Sequence, residues 1–255
     1  MRSGKREDER AFAAAFVAIG EPHGMSAREL VTTMGRTGSI VAVIASAADL
    51  RRAVRLRHAP DLFELRLDAL CETIDQVFST VPKLLAPLII TARHPAEGGL
   101  NQLGAMKRRD LLLKFLSFAA FVDVELRSIA PLQSVVDAAH DLQVRRILSV
   151  HDLRGTPGLS RLERLAATAR QNGADIFKVA TRADDNHQAM RLLDFFRVTK
   201  QLMPVSAMSI GQNARELRLV FAREGSALNY THLGSAHADG QWLFSDMRRA
   251  LHVAR

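Results

Sequence analysis

The sequence has 255 residues, of which 47% are hydrophobic, and it carries a formal net charge of +8. This length and apolar content predict a globular protein with a substantial core, built as one large α/β domain or as two small ones. No apolar run approaches the roughly 18 residues that span a bilayer, so we expect no membrane partner. Basic residues are scattered and aromatic residues make up only 5% of the chain, which argues against nucleic acid and favours a small anionic substrate.

The start of the chain resembles a signal peptide only superficially. A charged head precedes a short apolar run, but the acidic residues Glu7, Asp8 and Glu9 lie directly next to that run, which is not typical of a signal peptide. We therefore interpret residues 1–38 as an N-terminal extension, helical or disordered, and residues 39–255 as the folded domain. The single cysteine, Cys71, excludes an intramolecular disulfide bond, so the cytoplasm is the expected compartment.

Eight short β-branched runs alternate with longer amphipathic stretches after residue 38. One of these stretches has Ser160 as its predicted N-cap and Gly173 at its end. This alternation is typical of βαβ units, and eight of them in this length predict a (β/α)8 TIM barrel. A doubly wound open sheet is the alternative, but no Gly-x-Gly-x-x-Gly follows the first strand. The predicted strands are Ser39–Ser46, Leu62–Asp68, Pro87–Arg93, Phe121–Leu126, Arg145–Asp152, Asp175–Thr181, Val205–Gly211 and Leu228–Ser235.

Polar residues in these strands follow one parity. Side chains two residues apart share a face of a strand, so the apolar parity is expected to pack on helices and the polar parity to face the barrel interior. Barrel interiors are normally filled by branched apolar side chains, so this polar set predicts a site, although any single pair could be a buried salt bridge. The inward set is Glu64, Arg66, Asp68, Asp123, Glu125, Ser149, His151 and Lys178.

Lys178 is the most informative member of this set. It lies in a run that is otherwise apolar, and an ammonium group in such surroundings is costly unless it is paired or loses its proton. A desolvated, uncharged lysine is a nucleophile. Taken alone, Lys178 also fits a core lysine neutralised by a carboxylate, and the rest of the chain has to decide.

Five motifs resemble, in order, those of the type I 3-dehydroquinate dehydratase family: "ELRLD", "TARHPAEGG", "SVHDLRGTP", "FKVAT" and "MSIGQNAR". The resemblance runs from the first strand to the C-terminus. It implies a (β/α)8 barrel, usually a homodimer, that converts 3-dehydroquinate to 3-dehydroshikimate and water through a lysine Schiff base in the shikimate pathway. It implies no metal and no organic cofactor.

The resemblance also implies roles for individual residues. Lys178 would form the Schiff base, His151 would be the general acid/base, and Glu97 would position His151. Taken alone, Glu97 is better interpreted as a loop carboxylate at the surface. The implied substrate-binding residues are Glu64, Arg66, Arg93, Arg215, Ser235 and Gln241, with Arg215 gripping a carboxylate.

The end of the barrel departs from the family pattern. The family closes its site with Ser-Ala-Pro-Gly-Gln, whereas this chain reads "SAHADGQW", which is two residues longer and lacks the proline. We expect residues 235–241 to form a mobile loop that closes over substrate at a raised entropic cost. A slow enzyme or one with a changed substrate would follow.

Two other functions remain open from the sequence. Another Schiff-base barrel, resembling a class I aldolase, would share the fold and Lys178. Such aldolases usually bind sugar phosphates through Gly-rich backbone at strands seven and eight, whereas Arg215 and Gln241 suit a carboxylate and hydroxyls. A non-catalytic barrel with an altered lid is the second alternative, against which the presence of both His151 and Lys178 argues.

Overall fold

The computed structural model describes residues 38–252, so the predicted extension lies outside the described residues except for Gly38. Within this range the strands are β1 (Ser39–Ile44), β2 (Leu62–Arg66), β3 (Leu88–Thr91), β4 (Ala119–Glu125), β5 (Arg145–Asp152), β6 (Ile176–Arg182), β7 (Val205–Ile210), β8 (Leu228–His232) and the short β9 (Trp242–Leu243). The α-helices are α1 (Ala47–Val54), α2 (Ile74–Thr80), α3 (Ala105–Phe115), α4 (Gln133–Asp141), α5 (Leu159–Gln171), α6 (Asn186–Thr199), α7 (Ala214–Arg223) and α8 (Phe244–His252). All eight predicted strands are present.

The strands form one parallel sheet that curls into a barrel. Its order is β7-β6-β5-β4-β3-β2-β1-β8-β9, so the first strand of the chain pairs with both β2 and β8. The remaining seam, between β7 and β8, is bridged by Ala227 N, which donates to Val205 O at 2.8 Å, and by Ser206 Oγ, which donates to Leu228 O at 2.7 Å. The (β/α)8 prediction is confirmed, and the open doubly wound sheet is wrong.

Apolar side chains form two layers that follow strand parity. The inner layer fills the barrel and includes Val41, Ile89 and Ile147, while the outer layer lies between strands and helices and includes Phe63 and Leu65. The predicted division of β2 into an apolar outer face and a polar inner face is therefore correct.

One predicted helix boundary is shifted. Helix α5 begins at Leu159 with Gly158 as its N-cap, so Ser160 lies inside the first turn and the predicted Ser160 cap is wrong. Gly173 does follow the helix end, and its φ of +73° is one that residues with a side chain rarely adopt. None of the helices in residues 38–252 combines the length and the apolar character that crossing a membrane requires.

Candidate active site

Polar side chains occupy the barrel interior above the inner apolar layer. They come from five consecutive strands and their immediate ends, and all are buried. The members are Glu64 on β2, Thr91 on β3, Arg93 just after it, Asp123 and Glu125 on β4, Ser149 on β5 and Lys178 on β6. Because carboxyl ends of parallel strands meet at one mouth of the barrel, the fold brings these groups together.

Lys178 is 3% exposed and lies among two carboxylates and one aromatic ring. Its Nζ is 2.9 Å from Asp123 Oδ2, 3.4 Å from Glu64 Oε1 and 3.9 Å from the centroid of the Tyr230 ring. The carboxylate partners required for a buried ammonium are thus present, and the ring face adds a favourable cation–π contact. Glu64 is also fixed, because Thr91 Oγ1 donates to its Oε1 at 2.8 Å.

Arg93 contacts the carboxylates of β4 beside this lysine. Its Nη2 is 2.9 Å from Asp123 Oδ2, and its Nη1 is 3.0 Å from Glu125 Oε1 and 2.8 Å from Ser149 Oγ. Burial opposes the charge of Arg93, but Asp123 and Glu125 outweigh it and raise the Arg93 pKa. Burial likewise opposes the Asp123 charge, but Arg93 and Lys178 hold its pKa far below the ordinary value. Both groups are therefore ionised at neutral pH.

His151 lies on the same inner face as Lys178, nearer the barrel mouth. The β5–β6 register pairs Ser149 with Lys178 and His151 with Ala180, which places the imidazole about one residue pair beyond the amine. Burial, followed by the positive charges of Arg93 and Lys178, lowers the His151 pKa well below 6.5. The imidazole is therefore neutral at pH 7, as a base must be.

Glu97 holds this histidine. It belongs to a short 3₁₀ helix, Pro95–Glu97, after β3, and its Oε2 accepts from the His151 backbone N at 2.9 Å and lies 3.0 Å from His151 Nδ1. Glu97 is only 8% exposed, so the surface carboxylate that the isolated motif suggested is wrong. Burial is the main reason that the Glu97 pKa rises from 4.5 to about 7.

Arg66 and Asp68 support the loop that carries Glu97. Arg66 Nη2 is 2.8 Å from Asp68 Oδ2 and donates to Gly98 O at 3.3 Å. The Asp68 carboxylate in turn accepts from Arg93 N at 3.1 Å and from Leu100 N at 3.0 Å. Asp68 therefore fixes the loop after β3 through two backbone N–H groups.

The three remaining predicted site residues lie around β8 and α7. Arg215 is exposed, and its guanidinium carbon is 3.9 Å from the centroid of the Trp242 ring. Gln241 is 7% exposed and its Oε1 accepts from His237 N at 2.8 Å, whereas Ser235 is exposed. These residues do not contact Lys178 or the buried polar side chains of β2–β6 in this structure, so their substrate-binding roles stay predictions.

Besides Thr91, which fixes Glu64, two residues of the site were not singled out from the sequence. Tyr230 shares the inward parity of Leu228 on β8, and this alternation was the available signal. Arg108 lies on α3, yet it is buried, ion-pairs with Glu125 and donates to Ala92 O at 2.7 Å. No sequence signal marked Arg108, because arginines on amphipathic helices usually face solvent.

Comparison with known proteins identifies the family. The family model for type I 3-dehydroquinase matches residues 40–255. The chain belongs to this family. The resemblance stated from the five motifs is confirmed.

Individual relatives of this type I 3-dehydroquinase chain agree with the family assignment, and the solved structures agree with the barrel fold. The 3-dehydroquinate dehydratase of Pyrococcus abyssi is 30% identical over 221 residues, covering 84% of this chain and 98% of the relative. That of Methanococcoides burtonii is 28% identical and covers 84% and 94%. Among solved structures, the type I enzyme of Clostridium difficile superposes with a TM-score of 0.77 at 24% identity, covering 85% of this chain and 92% of that one. The enzyme of Geobacillus kaustophilus gives 0.75 at 25% identity, with 85% and 90% covered.

Proposed function

We propose that this family member is a carbon–oxygen lyase that converts 3-dehydroquinate to 3-dehydroshikimate and water through a Schiff base on Lys178, within the shikimate pathway. The observation that carries the proposal is the position of Lys178, buried on β6 beside the Glu97–His151 pair. A lysine held among carboxylates could be purely structural. The neutral imidazole of His151 lies on the adjacent strand β5 and is oriented by the buried Glu97 carboxylate, so it gives Lys178 a reaction partner.

The covalent step requires a neutral amine, so the Lys178 ammonium first gives up a proton to solvent, and one proton is taken up again when the carbinolamine hydroxyl leaves as water. Asp123 and Glu64 are the carboxylates nearest to Nζ, at 2.9 and 3.4 Å. The neutral amine then attacks the substrate ketone, and water leaves to give an iminium ion. The two carboxylates lie where this positive charge develops, so they stabilise it.

The elimination step uses His151. The iminium draws electrons from the neighbouring carbon and acidifies its C–H bond, so that neutral His151 can take the proton through Nε2. Glu97, at Nδ1, stabilises the resulting imidazolium ion. The same imidazolium then protonates the departing hydroxyl group, which leaves as water. Hydrolysis of the product iminium restores Lys178.

Substrate binding would use the remaining polar groups. A guanidinium fork suits a carboxylate, so Arg215 is assigned to the substrate carboxylate. In this structure its guanidinium group stacks on the Trp242 ring. Hydroxyl and other polar groups are assigned to Glu64, Arg66, Arg93, Ser235 and Gln241. The homodimer and the cytoplasmic location remain expectations from the family resemblance and the single cysteine.

Turnover of 3-dehydroquinate tests the function directly. We expect the purified protein to generate the conjugated enone of 3-dehydroshikimate, measured as a rise in ultraviolet absorbance, without added metal or cofactor. Cleavage of a ketose phosphate without enone formation would instead support the aldolase alternative. Inertness toward both substrates would support the non-catalytic barrel. Family membership favours the first result.

The Glu97→Gln variant should change the acidic limb of the pH profile. Above about pH 7 Glu97 is ionised and accepts the Nδ1 proton, which leaves Nε2 free as the base. Below that pH the protonated carboxyl donates to Nδ1, the imidazole proton moves to Nε2, and wild-type activity falls. A glutamine carbonyl accepts from Nδ1 at every pH, so the limb should shift to lower pH while the maximal kcat falls.

A stability measurement controls this interpretation. Because burial raises the Glu97 pKa from 4.5 to about 7, ionisation of Glu97 lowers the free energy of unfolding as the pH rises through this interval. Glu97→Gln should therefore be more stable than wild type at pH 8, by on the order of 1–3 kcal/mol, and lose this advantage at pH 4. An acidic limb that stays in place in the variant would assign that limb to another group.

A further inference from the structure

The loop of residues 235–241, here called the lid, is folded onto the barrel by polar contacts. His237 Nε2 is 3.3 Å from Asp49 Oδ2 on α1. The His237 backbone N donates to Gln241 Oε1 at 2.8 Å, and Gln241 N donates to Ala238 O at 3.2 Å. One histidine therefore joins the lid both to the barrel and to the side chain of its last residue.

Asp49 is a prepared acceptor for this histidine. Its side chain is 2% exposed, and its Oδ2 accepts from Ser46 Oγ at 2.7 Å while its own backbone N donates to Ser46 Oγ at 3.1 Å. Arg52 Nη1 lies 3.5 Å from Oδ1. Burial opposes the negative charge, but hydrogen bonds with His237 and Ser46 outweigh it and lower the Asp49 pKa. The carboxylate is thus ionised, and its position is set by α1.

The other end of the lid packs against the start of α7. Gly240 has a φ of +69°, and a Cβ added there would lie 2.4 Å from Ala214 Cβ and 2.5 Å from Arg215 N. Trp242 follows, and its Nε1 donates to Arg215 O at 2.8 Å beneath the stacked guanidinium. Gln241 is therefore held between the His237 contact on one side and the Arg215 region on the other.

We propose that His237 is a positioning residue for substrate binding. Its contact with Asp49 fixes the backbone N–H that holds the Gln241 carbonyl oxygen, and this orients the Gln241 amide nitrogen as a donor. The proposal rests on the proposed function, because it concerns the substrate-binding role of Gln241. The proposal also gives the longer lid a role. His237, the first residue of the segment "HAD", contacts Asp49, and this contact offsets the entropic cost of ordering the loop that is expected from loss of the proline.

Two readouts test the proposal in His237→Ala. Trp242 is the only tryptophan in the sequence, so its fluorescence and acrylamide quenching report lid packing without turnover. We expect stronger quenching in the unliganded variant. We also expect the KM for 3-dehydroquinate to rise about 3- to 10-fold, as for loss of one hydrogen bond, with kcat changed less than about threefold.

The controls distinguish positioning from other roles. His237→Gln keeps a donor for Asp49 and should restore most of both readouts, whereas His140→Ala, on the exposed face of α4, should alter neither. Unchanged quenching and KM in His237→Ala would overturn the proposal. A loss of kcat in both His237 variants would also overturn it, since His237 would then act on substrate itself. If wild type does not turn over 3-dehydroquinate, the proposed function fails, while quenching still decides whether His237 holds the lid.

Discussion

Lys178→Met should abolish covalent trapping and nearly all turnover. Borohydride reduction in the presence of 3-dehydroquinate should add one reduced substrate adduct to the wild type, on the peptide that contains Lys178, as measured by mass spectrometry. Methionine has a similar length and no amine, so the variant cannot form the iminium ion that acidifies the substrate. Lys114→Met, a substitution of a partly exposed lysine on α3, is the matched control and should keep both adduct and turnover. An adduct on another lysine would refute the assignment.

The same variant should be less stable than wild type. Lys178 lies beside the buried carboxylates of Asp123 and Glu64, which lose this positive charge in the variant. Breaking a buried ion pair typically costs about 3–5 kcal/mol, and Arg93 remains to compensate Asp123, so we expect a smaller loss. Thermal unfolding of Lys178→Met against Lys114→Met measures it.

His151→Ala should retain the covalent adduct but lose turnover. Lys178 keeps its carboxylate partners in this variant, so imine formation continues, whereas the proton transfers lose their acid/base. General acid/base catalysis contributes about 100- to 10,000-fold, and kcat should fall within that range. Single-turnover trapping with borohydride, followed beside steady-state enone formation, separates the two steps.

The control for this prediction is another histidine. His187→Ala replaces an exposed imidazole on α6 and should leave kcat unchanged. If His151→Ala turned over substrate at the wild-type rate, Glu97 or a water molecule would have to move the proton, and the role of His151 in the mechanism would be wrong. Loss of the adduct together with turnover would instead place His151 in imine formation.

Strand-based features were readable from the sequence because a strand repeats every two residues. The alternation of Phe63, Leu65 and Leu67 with polar residues fixed which face of β2 meets helices, and the same parity put Lys178 and His151 inside the barrel. Eight such runs with intervening helices determined the barrel itself. These features depend on local sequence patterns, so they can be predicted without knowing how distant segments of the chain pack.

Loop and helix contributions were decided only by tertiary structure. Glu97 is buried because a 3₁₀ turn after β3 brings it to His151 on β5, and Arg108 enters the site from a helix. The contact of His237 with Asp49 joins the last loop of the barrel to its first helix. The sequence determined which strand residues face inward, whereas closure of the barrel decided the partners of Glu97, Arg108 and His237. The physical reason is that side chains outside the strands take their positions from contacts between distant segments, and not from a repeating backbone geometry.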